Sequence, residues 1–156
     1  MKAKKKEKAA LTAKDNALLV ARFYSAMNRH NAEQAASFFA ERATLQDGAV
    51  MQTLRGQEAI QARLQEFVTA FPDLKFELKN IITTTDWVIC EWNLTGTHKG
   101  AWMGVPGSSR RISVSGASLF HVINQRIFAK HMYWDQYRLL LQIGAVEFSQ
   151  QGRLAA

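Results

Sequence analysis

The apolar residues change their period near residue 74, and that switch constrains the fold more than any other feature. Before it, Val20, Tyr24 and Met27 fall on one stripe, as do Ile60, Leu64, Phe67, Val68 and Phe71. Steps of three and four residues are those of a helix presenting one face to a core. After it, Lys75, Glu77 and Lys79 alternate with Phe76 and Leu78, the period of a strand wet on one side. Helices first and antiparallel strands second define an α+β domain, with the helices laid over one curved sheet.

Local punctuation places the elements. Thr12-Ala13-Lys14-Asp15 has the form of a capping box and predicts a helix start there, running to about Asn28. Asn31 offers a second cap, a short strand is expected near 43–46, and a third helix begins around Gly56 and is stopped by Pro72. Strands are then expected over 74–82, 87–98, 110–123 and 126–134. A loop rich in Gly, Pro and Trp fills 99–109, and a tight turn forms at Asn124-Gln125. A last helix over 136–143 ends at Gly144.

At 156 residues the chain accommodates one domain, expected over 12–144 between a basic tail at 1–11 and a C-terminal tail at 145–156. The net charge of +7 suggests nucleic acid until its position is considered. Residues 1–14 hold six lysines and one glutamate, so five of the seven charges sit at one terminus. That predicts a solvated extension on a nearly neutral body rather than a nucleic-acid arm. No apolar run follows the lysines and none reaches the length of a membrane span, so neither a signal peptide nor a membrane partner is expected. The single cysteine, Cys90, has no internal disulfide partner, which points to a reducing, cytoplasmic compartment. No Cys/His spacing suggests zinc, and no phosphate-binding glycine loop or G-x-S-x-G elbow is present.

What remains is acid–base chemistry in a pocket. Asp135 stands among Met132, Tyr133, Trp134, Leu139 and Leu140, and a carboxyl group in apolar surroundings keeps its proton more readily. It also immediately precedes the last helix, where aspartate is a favoured N-cap. Both roles stay open. Regular alternation would put Ile127, Ala129, His131, Tyr133 and Asp135 on one face of the last strand, with Leu119 and His121 on one face of the strand before it. Either histidine could hold the carboxylate or carry a proton, or be a satisfied structural group. Tyr24 is a core aromatic or a hydroxyl turned into the pocket. His98, at a strand end beside the loop, is expected to be exposed, and His30 has no assigned role.

The run 96–106, Gly-Thr-His-Lys-Gly-Ala-Trp-Met-Gly-Val-Pro, resembles the C-terminal half of the SnoaL-like polyketide cyclase (ester cyclase) family. So do Arg111-Ile112, Trp134-Asp135 and Leu140-Leu141-Gln142-Ile143-Gly144, while Gly56-Gln57-Glu58-Ala59-Ile60 and 70–74 are similar to the family's middle section. The resemblance covers about residues 15–144. It implies the cone-shaped α+β superfamily of nuclear transport factor two and ketosteroid isomerase: a curved antiparallel or mixed sheet wrapped by N-terminal helices around an apolar pocket, commonly as a homodimer. It further implies cofactor-free intramolecular aldol chemistry on an apolar carbonyl compound. Asp135 and His121 then occupy the catalytic positions, and Tyr24, Trp102, Leu119, His131 and Tyr133 contact substrate, with no metal. The turn Asn124-Gln125-Arg126-Ile127 departs from the family's usual Asp-Gly-Lys-Ile, and His131 to Asp135 follow the family's broad branch rather than its antibiotic-pathway cyclases. A non-catalytic pocket for small apolar molecules, or an isomerase or dehydratase using the same pocket, fits the same residues.

Overall fold

The computed structural model describes residues 2–48 and 53–147, with side chains from residue 12 onward. Helix α1 spans Lys2–Asn28 and α2 spans Ala32–Ser37, followed by strands β1, Phe39–Asp47, and β2, Leu54–Arg55. Helix α3, Gln57–Ala70, leads into β3, Lys75–Thr83, β4, Trp87–Thr97, β5, Arg111–Ile123, and β6, Arg126–Trp134, and α4, Gln136–Ile143, closes the described chain. One six-stranded sheet runs β2-β1-β6-β5-β4-β3. All neighbours are antiparallel except β1 and β6, which are parallel, so the sheet is mixed.

Helix α1 begins earlier than its capping box suggests, running through Thr12 to Asp15 from Lys2. The Lys, Ala and Glu of that segment are strong helix formers. Residues 148–156 of the expected C-terminal tail lie outside the described residues. Strand β1 is longer than the expected 43–46, starting at Phe39 and reaching one residue beyond Gln46, to Asp47.

Other local rules hold at the atom level. Asn31 accepts the Gln34 amide at 2.8 Å to cap α2, and Asp135 accepts the Arg138 amide at 2.8 Å to cap α4. Gly144 ends α4 at φ 81°. Asn124 and Gln125 turn the β5–β6 hairpin with φ of 48° and 58°, the left-handed pair that matches strand twist.

The inner face of the sheet carries the core against α1 and α3. Val88, Phe120, Lys130 and Leu45 form one row across β4, β5, β6 and β1. Cys90, Ser118, Met132 and Asp47 form the next, and Trp92, Gly116 and Trp134 the third. Phe23 and Tyr24 of α1 meet Phe120 edge-on at 5.7 and 6.0 Å, an arrangement that adds to the apolar burial. Gly116 has no alternative here: a Cβ would stand 2.5 Å from the Trp92 ring and 2.8 Å from Trp134 Cβ.

One irregularity decides what faces inward. Val122 pairs with Ile127, yet His121 pairs with Ala129, so Phe128 is an extra residue on β6. Such a bulge inverts the alternation beyond it. Past Phe128 the inward residues are Lys130, Met132 and Trp134, the opposite set from the one regular alternation predicts.

Candidate active site in the cone interior

Between the inner sheet face, α1, α3 and the 99–109 loop lies a cavity of about 30 Å³. Its wall is mostly apolar, with Phe67, Phe76 and Met27 among the residues that line it. Three charged side chains also border it: Asp47 from β1, Arg63 from α3 and Lys130 from β6.

Asp47 is held on two sides. Its Oδ1 accepts the Trp134 indole N–H at 2.7 Å, and its Oδ2 accepts from Arg63 Nη2 at 3.2 Å. The Arg63 guanidinium then lies 4.2 Å from the centre of the Trp102 ring, a cation–π contact that fixes both groups. Trp102 is buried, and its indole N–H has no hydrogen-bond partner among the described residues. A buried donor without an acceptor is costly and is a reason to look for a ligand atom there.

Lys130 is the second unusual group. It is buried at 3 % exposure, and Phe23, Phe120 and Tyr24 present ring faces to its Nζ at 4.7, 5.5 and 5.6 Å. Nζ also donates to Met132 Sδ at 3.8 Å. None of the ion pairs among the described residues includes it. Burial in this aromatic nest outweighs the opposing pull of Cys90 and Asp47 and lowers its pKa from 10.5 to about 8. An amine near neutrality beside a cavity can accept and return protons at physiological pH.

Deeper in the core, Tyr24 donates to Ser118 Oγ at 3.0 Å, Trp92 Nε1 donates to the same oxygen at 3.0 Å, and Cys90 Sγ lies 3.6 Å from the Tyr24 hydroxyl. Burial pushes both the Tyr24 hydroxyl and the Cys90 thiol up from their ordinary pKa values. The network satisfies these buried polar atoms, while burial keeps the hydroxyl and the thiol protonated.

The residues singled out from sequence divide into two groups. Tyr24 and Trp102 lie in the interior, Trp102 on the cavity wall. His121, Leu119, His131 and Tyr133 stand on the outer face of the sheet, because the Phe128 bulge inverts β6 and because the inward residues of β5 are Ser118, Phe120 and Val122. His121 stacks on Trp87 at 4.7 Å, and Leu119 and His131 are cross-strand neighbours. Asp135 is exposed and occupied by the α4 cap. The structure therefore does not bring Asp135, His121, His131, Leu119 and Tyr133 to the cavity. His98, expected to be exposed, is fully buried against Phe71. Its Nδ1 accepts the Ser108 amide at 3.2 Å, and burial lowers its pKa.

Asp47, Arg63 and Lys130 escaped sequence reasoning. Asp47 was one residue past an expected strand end, and Lys130 reads as a solvent-facing residue under strict alternation. No local signal marks the bulge: adjacent bulky apolar pairs such as Ile127-Phe128 also occur, as Val88-Ile89 and Leu119-Phe120, in strands that pair without a shift.

A curved mixed sheet closed by helices over an internal polar site is the ketosteroid-isomerase-like architecture. Residues 18–143 match the family model described as SnoaL-like polyketide cyclase, and the chain belongs to that family. Among solved structures, a SnoaL-like polyketide cyclase candidate from Jannaschia sp. CCS1 superimposes with a TM-score of 0.79 at 20% identity, covering 86% of this chain and 95% of that one. TsrD from Streptomyces laurentii gives 0.75 at 22% identity, covering 85% and 96%. A Catenulispora acidiphila protein with a ketosteroid isomerase-like fold, in complex with trimethylamine, gives 0.70 at 21%, covering 81% and 92%. At these identities the likeness shows the fold. No curated protein matches the chain. Among the described residues no helix is long and apolar enough to cross a membrane, and no group of three or more His, Cys, Asp or Glu could hold a metal ion.

Proposed function

We propose that this chain carries out cofactor-free acid–base chemistry on a small carbonyl compound inside the cone, of the kind that closes a ring by intramolecular aldol addition. The observation that carries this reading is Lys130: a buried amine with lowered pKa, on the cavity wall and in no ion pair. In this scheme the neutral amine takes a proton from the carbon beside a carbonyl. The enolate oxygen that forms is met by the spare Trp102 N–H and by the Arg63 guanidinium, held in place by Asp47. The carbon attacks a second carbonyl of the same molecule, and the Lys130 ammonium returns its proton to the new alkoxide. With two cations and one carboxylate on its wall, the cavity favours developing negative charge. Asp135, exposed and capping a helix, is a weaker candidate for the proton carrier. Isomerisation or dehydration would use the same groups.

The test is deuterium wash-in beside the carbonyl of a panel of small ketones from acetone upward, followed by NMR. The expected result is exchange by the wild type, its loss in Lys130→Met, and its retention in Asp135→Asn. Exchange that survives Lys130→Met and disappears in Asp135→Asn would return the role to Asp135.

A second reading, a non-catalytic pocket for a small apolar molecule, is favoured by the mostly apolar wall of the cavity. It predicts ligand binding with no exchange in any variant.

The working unit is proposed to be a homodimer joined through the outer sheet face. Ile82, Ile89 and Leu119 form a cross-strand row there, with Ile82 62 % exposed, and Trp87, Ile123 and Tyr133 flank it. A contiguous apolar surface on a sheet seeks cover.

A further inference from the structure

We propose that Lys130 is a covalent amine catalyst whose Nζ condenses with the carbonyl carbon of a small ketone or aldehyde in the cavity. This deepens the proposed function and rests on the cavity being its site. A C–N bond forms as the carbonyl π bond opens; the carbinolamine then loses its oxygen as water, carrying off both amine hydrogens, to leave an imine. No oxidant or reductant is involved, and water reverses the step. The water formed in the condensation gives a proton to the imine nitrogen; the iminium draws electrons from the neighbouring C–H bond, and the hydroxide left behind accepts that proton to give an enamine and restore the water.

Geometry supports a nucleophile over a plain structural cation. A lysine kept for stability is expected to meet a carboxylate, yet the nearest cavity carboxylate, Asp47, is engaged by Trp134 and Arg63. Nζ instead meets three ring faces and a thioether, none of which is a base that takes its proton, and Lys130 is among the residues that line the cavity. Tyr24 and Cys90 nearby are held protonated by burial, so neither competes as a nucleophile. Among residues whose side chains are described, Lys130 is the one buried lysine. A surface lysine near its ordinary pKa is almost wholly protonated at pH 8, so Lys130 should react on the order of a hundredfold faster.

Acetylacetone tests this, because a neutral primary amine converts it to an enaminone that absorbs in the near ultraviolet. The folded full-length protein is incubated with the diketone between pH 6 and 9, and the product is mapped by peptide mass spectrometry. The expected result is one adduct per chain, on Lys130, with a mass gain of the diketone less one water. Lys130→Met, close in shape and suited to the aromatic nest, and Lys130→Arg should form none, with circular dichroism showing that both fold. An adduct spread over other lysines, or an equal adduct in Lys130→Met, would overturn the proposal. If the wild type exchanges deuterium into acetone but forms no adduct, covalent catalysis falls and proton transfer stands. Absence of both removes both. An adduct without exchange supports the nucleophile and counts against enolisation.

Discussion

Lys130→Met should make this protein more stable, and by an amount that depends on pH. The folded pKa of Lys130 is about 8 against an ordinary 10.5, so the fold disfavours the charged form. Two and a half pH units at about 1.4 kcal/mol each give about 3 kcal/mol of destabilisation while the amine is protonated in both states. Below pH 8 that cost is fully present. Between pH 8 and 10.5 the unfolded chain binds more protons than the folded one, so wild-type stability rises with pH relative to the variant. Above 10.5 the amine is neutral in both states and the cost is gone. The groups that face Nζ, namely Asp47 on β1, Cys90 on β4 and Tyr24 on α1, are unchanged by the substitution, so the difference between the two proteins isolates the lysine. Urea denaturation followed by tryptophan fluorescence at pH 6, 7, 8, 9 and 10 should show the variant ahead by about 3 kcal/mol at pH 7, with the gap closing towards pH 10. In thermal melts the same gap at pH 7 corresponds to roughly 6–12 °C. A variant that is less stable at pH 7, or a gap that does not change with pH, would refute the reasoning. Either would mean that the ring faces of Phe23, Phe120 and Tyr24 fully repay the desolvation of the ammonium. The gain in stability should accompany a loss of function, the exchange expected when a costly group is retained for its chemistry.

Asp135→Asn should change stability by no more than a few tenths of a kcal/mol, whereas Asp135→Ala should cost about 1 kcal/mol through the lost α4 cap, measured by denaturant titration. Asp47→Ala strips the partner from both Trp134 and Arg63 and should cost about 3 kcal/mol, visible as a lower urea midpoint. Gly116→Ala forces a methyl into the Trp92 ring in the centre of the sheet; a loss of roughly 1–3 kcal/mol and a shifted tryptophan emission are expected. Ile82→Lys with Ile89→Lys should convert a dimer to a folded monomer in analytical ultracentrifugation; a double variant that sediments unchanged would exclude the outer face as the contact.

The architecture was largely legible in the residues because its signals are local. The stripe Ile60, Leu64, Phe67 specifies the buried face of α3, and Asn31, Asp135 and Gly144 mark helix ends through contacts within four residues. The 96–106 run pointed to the family that the chain belongs to. The interior was not legible, because it depends on register. Asp47 meets Met132 through a parallel pairing, and the two lie 85 positions apart in the chain. Arg63 reaches Asp47 across a helix-to-sheet gap that no short spacing encodes. Ile127 and Lys130 both face inward because Phe128 between them is unpaired, and alternation that counts Phe128 as a regular strand residue yields the other face for Lys130.

That added residue gives β6 a property beyond its present shape. The strand carries two complete sets of side chains, one with an amine, a thioether and an indole, the other with a histidine and a phenol. A loss of the single codon for Phe128 would remove the bulge, yet Ala129 would still pair with His121 and Lys130 with Phe120, so the amine, the thioether and the indole would stay inside. The bulge is thus a removable spacer: the interior chemistry survives its loss, whereas a slip of β6 by one residue with Phe128 retained would present the other set to the cone.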